Sequence, residues 1–398
     1  MADCFTQCLS LSQLIELDAC TMCGECLKCC PVQEVTGNPS ISPPEKIRLF
    51  REFIKATSGL KARIFGPRDI DRELLEEFVK AVYECTVCGA CGQNCSVGIF
   101  TQRLWPMLRK EMVKRGLGPI GPQANLPGAI ERTGNPYDKP ALERFSPWFP
   151  DNVRVSEKAD IGYYAGCTGA YEAQPMVKGD GVVLGATGEP FTMLSPEDEV
   201  CCGFPLFITG QHDMLEDLTK RLVSAYKAKG VKVLVCSCPC CVNIMSRDWP
   251  LFYGQELPFR IRHITQFAVD ALKNRKLTIK GELRERLIYH DPCYLSRGVG
   301  IIEEPRSIIR SIPGADLIEF EKHGLNSRCC GAGGAARKVF HDNAIAMGRL
   351  TIDEAVEKGA DRLILNCPAC YAKMHEALQG HDKQIRITDL MELLGSLL

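Results

Sequence analysis

Cysteine spacing carries the chemistry of this sequence. Two runs, CTMCGECLKCCP and CTVCGACGQNCS, place Cys20, Cys23, Cys26 and Cys30, and again Cys85, Cys88, Cys91 and Cys95, in the order C-x2-C-x2-C-x3-C. That spacing wraps a [4Fe-4S] cubane, with three thiolates on a tight loop and the fourth supplied to a second cluster. A zinc ribbon would use two separated CxxC knuckles instead. Pro31 follows the first run and Ser96 the second, a change at the chain exit that leaves the four thiolates in place. Cys29 reads as a bystander, and Cys4 and Cys8 as incidental or packing thiols.

A second pattern occurs twice further on. Cys167, the pair Cys201-Cys202 before Gly203, then Cys238 and Cys241 form one copy; Cys293, Cys329-Cys330 before Gly331, then Cys367 and Cys370 form the other. The second copy follows the first by 126, 128 and 129 residues at the lone cysteine, the adjacent pair and the CxxC. Adjacent cysteines suit several irons held close together better than one tetrahedral zinc. In CSCPCC the CxxC spacing selects Cys238 and Cys241, with Cys236 and Cys240 as alternatives. An internal duplication with a pseudo-two-fold relation is the simplest account. By the cross-over rule of two-cluster ferredoxins, Cys20, Cys23, Cys26 and Cys95 should hold one cubane, and Cys85, Cys88, Cys91 and Cys30 the other.

Composition agrees with clusters. The 398 residues allow two or three domains, and a net charge of -1 gives nucleic acid no electrostatic claim. With 23 cysteines, no secretory signal apparent in MADCFTQCLSLSQLIELDAC and no apolar run of spanning length, a reducing compartment and metal are expected, not disulfides.

The elements that must position these thiols follow from periodicity. LSLSQLIELDA, PPEKIRLFREFIKAT, DRELLEEFVKAVYEC and RLWPMLRKEMVKRG read as helices, which makes 1–115 an all-helical ferredoxin domain with two [4Fe-4S] clusters. Residues 116–158 are rich in proline and glycine and read as a wrapping linker, with Tyr137, Trp148 and Phe149 as anchors. In 159–284 and 285–398, ADIGYYAGC, VKVLVCSCPCC, RLIYHDPC and DRLILNCPAC are buried strands ending at ligand cysteines, two of them preceded by amphipathic helices. The fold class expected is a multidomain α/β protein: the ferredoxin domain, then two α/β domains with sites at strand ends.

Two such CCG domains behind a helical ferredoxin resemble the family of D-type iron-sulfur subunits of heterodisulfide reductase. The resemblance runs from about Leu14 to the C-terminus and includes GLKARIFGP, GYYAGCTGAY, FTMLSPEDEVCCG, ELPFRIRHITQF, HDPCYLSRGVGIIEEPRSII and RCCGAGG. It implies a noncubane [4Fe-4S] cluster in each CCG domain, ligated by Cys167, Cys201, Cys202, Cys238 and Cys241, and by Cys293, Cys329, Cys330, Cys367 and Cys370. With two cubanes, that makes four clusters. The ten CCG cysteines are then the expected catalytic residues of an iron-sulfur oxidoreductase that reduces a disulfide of the CoM/CoB type or oxidises the paired thiols. Electrons would enter at the cubanes, and two facing clusters could each take one sulfur. The alternative is an electron-transfer subunit of a larger anaerobic complex, of the sulfite-reduction-associated membrane or benzoyl-CoA reductase type, with no disulfide of its own. Expected partners are other redox subunits, a membrane cytochrome b or a flavoprotein, and the expected location is cytoplasmic, free or peripheral to the membrane through a partner.

Other residues admit two readings. Arg297, Arg328, Arg337 and Lys338 could bind a sulfonate or phosphate, or form a solvated basic edge. His290, beside Asp291, could relay a proton or be a hydrogen-bonded core histidine, and His263 reads as structural. The glycines of Gly331–Gly334 lack a nucleotide fingerprint and suit close backbone approach to a cluster.

Overall fold

Two parallel four-stranded sheets carry residues 161–389 in the computed structural model, which describes residues 5–146 and 148–398. Cys4 lies outside the described residues. The first sheet has the order β2-β1-β3-β4, with β1 Ile161–Tyr164, β2 Phe191–Thr192, β3 Val233–Cys236 and β4 Arg260–His263. The second repeats it as β6-β5-β7-β8, with β5 Arg286–Tyr289, β6 Asp316–Ile318, β7 Arg362–Leu365 and β8 Arg386–Asp389. Parallel pairing needs helical crossovers, and helices on both faces leave no strand face for water. The inner strands accordingly do not alternate: Leu234, Val235 and Cys236 of β3, and Leu363, Ile364 and Leu365 of β7, are all buried.

In each sheet the chain runs from its first strand to one edge, then returns past that strand to the other. Strand order therefore reverses between β1 and β3, and between β5 and β7. Such a reversal opens a crevice beyond the carboxyl ends of the two strands. Cys167 and Cys238 lie just past the ends of β1 and β3, and Cys293 and Cys367 just past β5 and β7.

The chain divides into two compact units. One comprises Met1–Asn125, Pro205–His212 and Gly331–Met347; the other comprises Leu126–Phe204, Asp213–Cys330 and Gly348–Leu398. In the first unit the long helices are Leu11–Ala19, Pro43–Ser58, Arg72–Glu84 and Thr101–Lys114. Their starts are chemically specified: Ser10, Ser42 and Asp71 accept from Gln13, Glu45 and Leu74 amides, and prolines occupy the first turn after Ser42. Phe50 and Phe53 pack on Phe78 across two helices, with ring centroids 6.0 and 5.1 Å away. Arg109 is fully buried, and its guanidinium donates to the carbonyls of Val82, Tyr83, Cys85, Ile208 and Gly334. One side chain thus fastens all three segments of this unit.

In the second unit the two sheets pack through their site helices. The Cys167–Glu172 helix meets the Pro368–Leu378 helix, and the Pro239–Arg247 helix meets the Tyr294–Gly298 turn, with Arg247 Nη1 donating to Gly298 O at 3.1 Å. The Gln174–Ala186 and Leu390–Ser396 helices touch so closely that a Cβ at Gly179 would lie 2.4 Å from Glu392 N. The Pro/Gly-rich stretch is mostly short turns, as its composition implied, yet it includes the eight-residue helix Leu126–Thr133 and buries Asn135, Arg144 and Trp148. No helix among the described residues is long and apolar enough to cross a membrane.

Candidate metal centres

The two C-x2-C-x2-C loops share a backbone. Met22 and Gly24 in the first, and Val87 and Gly89 in the second, have positive φ of 59°, 81°, 52° and 77°. Left-handed backbone is costly for methionine and more so for β-branched valine, so both loops are held in a shape the chain alone would not choose. Curling this way turns three thiols inward. Cys20, Cys23, Cys26 and Cys95 line one pocket with Pro44 and Ile47, and Cys91 also reaches it. Burial pushes the Cys26 thiol up to about 12, with Cys29, Cys20 and Cys23 adding to the rise.

Cys30 lies elsewhere, heading the Pro31–Thr36 helix. Burial lifts its thiol to about 11, against the pull of Lys46, and Cys85 and Cys88 raise it further. The Cys91 thiol is raised by burial and then by Cys85, Cys88 and Cys30. Cys30 therefore keeps company with the second loop and Cys95 with the first. Cys91 Sγ also donates to Thr101 Oγ1 at 3.2 Å. Cys29 donates to Cys26 O, and the Cys8 amide donates to Glu111.

The first five-cysteine set is fully buried, its sulfurs linked in series. Cys202 Sγ lies 3.3 Å from Cys241 Sγ, and neighbouring thiols shift one another's titration along the run Cys167, Cys201, Cys202, Cys241 and Cys238. Hydrogen bonds from Cys201 and Cys241 hold the Cys202 thiol down at about 6, in spite of burial. Gly203, at φ +88°, turns the chain so that its amide donates to Cys201 Sγ at 3.4 Å. A Cβ there would meet Leu215 at 2.7 Å. Cys236 is directed away, with its Sγ 3.6 Å from Met245 Sδ.

The second set repeats the chain of contacts: Cys329 to Cys330, Cys330 Sγ to Cys370 Sγ at 3.1 Å, and Cys370 to Cys367. Cys293, also buried, heads the Tyr294–Gly298 turn. His290 joins this group, its ring nitrogen and the sulfurs of Cys330 and Cys370 all lying within 4.8 Å of one another. The two sets adjoin, because Cys367 acts on both neighbours, helping to lower the Cys238 thiol and to raise that of Cys240.

Every described cysteine is a free thiol. Buried thiols in mutual contact without disulfides are a soft donor set, and deprotonation by iron would remove the burial cost that now raises most of them. The residues present fit iron-sulfur clusters. Cys240 is a neighbour that spacing alone left as an alternative, and it stands where the sets meet. Sequence reasoning missed Arg144, whose Nη2 donates to Cys167 Sγ at 3.5 Å, and Glu199, which accepts from Arg144. Neither sits in a motif that would have marked it. Among the basic candidates, Arg297 donates to Leu325 O, Ser327 O and Ser327 Oγ, and Arg328 lies 4.0 Å from Glu354. His263 is a buried helix cap bonded to Thr265 and Ser237 O.

Comparison with known proteins gives the same chemistry. A family described as Cysteine-rich domain (CCG) matches residues 161–246 and 287–375, and one described as 4Fe-4S dicluster domain matches 16–99. The chain is 38% identical over 397 residues to the D-type subunit of the dihydromethanophenazine:CoB--CoM heterodisulfide reductase of Methanosarcina barkeri, covering 99% of this chain and 97% of that protein. It is 28% identical over 381 residues to the B-type subunit of the fumarate reductase (CoM/CoB) of Methanothermobacter marburgensis, covering 95% and 72%. A crystal structure of a hypothetical protein from Helicobacter pylori shares the fold at a TM-score of 0.53 and 10% identity, over 97% of this chain and 74% of that one.

Proposed function

Because the chain belongs to the family of D-type heterodisulfide reductase subunits, we propose that it passes electrons through two cubanes to two noncubane [4Fe-4S] clusters, where a disulfide is reduced or its paired thiols are oxidised. The chain is an iron-sulfur oxidoreductase subunit of that family. When bound, the clusters would supply one-electron transfer and iron sites for sulfur. The chain's own contribution is to hold them. Cys20, Cys23, Cys26 and Cys95 would bind one cubane, and Cys30, Cys85, Cys88 and Cys91 the other. Each five-cysteine set would bind one noncubane cluster.

The observation that carries this reading is the closeness of the two five-cysteine sets at Cys238 and Cys367, with Cys240 beside them. A disulfide presents two sulfurs one bond apart, so two adjoining thiol-bound sites suit it better than two separated ones. Reciprocal packing of each half's lone-cysteine element on the other half's CxxC helix supports a pseudo-two-fold relation. We further infer a helical ferredoxin domain over 1–115, a linker over 116–158 and CCG domains over 159–284 and 285–398. The M. barkeri relative's substrate is the CoB--CoM heterodisulfide, and a disulfide of that class is the proposed substrate here. A cytochrome b or a flavoprotein is the proposed redox partner, in or at the edge of the cytoplasm.

Iron and sulfide quantitation, followed by turnover with a thiol-disulfide couple, tests this. About sixteen irons per chain supports four clusters, whereas about eight confines iron to the first unit and overturns the noncubane assignment. A fully loaded protein that accepts electrons from its partner but turns over no disulfide or paired thiols would instead be an electron carrier.

A further inference from the structure

The two five-cysteine sets match in ligand order, and a guanidinium touches a sulfur of the first. In the first set Arg144 reaches in from the Ala141–Arg144 turn, 23 residues ahead of Cys167, and donates through Nη2 to Cys167 Sγ at 3.5 Å. Its other terminal nitrogen donates to Glu199 Oε1 at 3.3 Å, and the same oxygen accepts from the Gly166 amide at 3.1 Å. Glu199 stands two residues before Cys201 and Gly166 one before Cys167, so one carboxylate joins both arms of the set and orients the guanidinium between them. Tyr171 lies under the guanidinium at 5.4 Å, and the Arg144 carbonyl accepts from Trp148 Nε1 at 2.7 Å. The pair is buried, with side-chain exposures of 1% and 0%. Arg144 Nε and Glu199 Oε2 have no hydrogen-bond partner among the described residues. A buried guanidinium is expensive unless negative charge faces it, and Glu199 supplies that charge at one terminal nitrogen while the other meets the Cys167 sulfur.

The second set is built otherwise. Ser327 occupies the place two residues before Cys329, where the first set has a carboxylate, and its hydroxyl accepts from Arg297 at 3.1 Å. His290, three residues before Cys293, stands against Cys330 and Cys370. Its counterpart three residues before Cys167 is Tyr164, whose hydroxyl donates to Val200 O at 2.9 Å.

We propose that Arg144 is a positioning residue for the noncubane cluster bound through Cys167, raising its reduction potential above the value it would have without the guanidinium. The inference rests on the cluster assignment proposed above. Reduction adds negative charge to a cluster, and a fixed cationic donor on a ligand sulfur favours the reduced state, more strongly where water is excluded. Arginine keeps its charge at any working pH, so the bias is permanent.

EPR-monitored redox titration of the loaded wild-type protein, Arg144→Gln and Arg144→Lys, with iron and sulfide counted in each, is the test. In Arg144→Gln we expect full iron, one noncubane midpoint lowered by at least the equivalent of a tenfold change in its oxidised-to-reduced ratio, about 59 mV for one electron, and the other clusters unmoved. Arg144→Lys should restore at least half of that shift. Full iron with every midpoint unmoved in Arg144→Gln overturns the inference, as does loss of the cluster in both variants, which would make the role structural. A wild-type protein with iron for the cubanes alone overturns the cluster assignment instead.

Discussion

Single side chains decide much of the local chemistry. Arg109 is buried among backbone carbonyls from three segments, and methionine in its place would fill similar volume while leaving those acceptors unpaired. We expect Arg109→Met to cost on the order of 3–5 kcal/mol in urea unfolding of the loaded protein, with Arg109→Lys milder. Asp180 is a second case. It accepts from Tyr163 at 2.9 Å and from Ser237, faces Asp389, and has its carboxyl raised by burial to about 7. The folded state thus binds a proton that the unfolded state has released above about pH 4. Stability contributed by this site is highest below that pH and falls as pH rises to about 7, then levels off. The difference in unfolding free energy between wild type and Asp180→Asn should therefore change across about pH 4–7 and stay flat from about 7.5 to 9; a difference independent of pH would refute the assignment.

At the scale of an element, the loop after Cys330 shows how backbone shape and packing combine. Gly334 has φ +66°, and a Cβ there would lie 2.4 Å from Cys85 O. Gly230, just past the Leu215–Ala228 helix, has φ +77° with open space around it. Both positions favour glycine, but only the first is also closed by backbone that cannot give way. We expect Gly230→Ala to cost about 1 kcal/mol and Gly334→Ala several times as much, read as shifts in urea midpoint. Equal effects would mean the Gly334 loop moves aside freely. The cluster loops belong to the same scale, since Met22 and Val87 hold left-handed backbone where three thiols must converge.

At the scale of the whole molecule, iron and fold should separate. The sheets of residues 161–389 are stabilised by burial of apolar strands under helices, whereas the loops at Cys20–Cys26 and Cys85–Cys91 are strained at Met22 and Val87 and gather thiols, the first of them largely exposed. Removing iron anaerobically should speed amide exchange most in those two loops and least in β3 and β7. Retained protection of the loops without iron would show that the protein pre-forms them unaided.

Candidate ligands were legible in the sequence because cluster thiols obey short local spacings, and helix starts were legible because caps and prolines act within one turn. The helices at Pro43–Ser58 and Arg72–Glu84 and the apolar strands β3 and β7 follow from such local signals. Spacing could not choose among the cysteines of CSCPCC, because Cys236, Cys238, Cys240 and Cys241 differ only in where β3 ends and the next helix begins. Nor could it place Arg144 on Cys167, a contact across 23 residues that depends on how the intervening stretch folds back. Strand order, which puts each lone cysteine and its CxxC at one switch point, and the meeting of the two sets at Cys367, arise from packing between distant segments. Which atoms could bind iron is written in the chain as short cysteine spacings. Which of them stand together, and which charges face them, is written nowhere locally, because the burial of whole helices and sheets sets those relations.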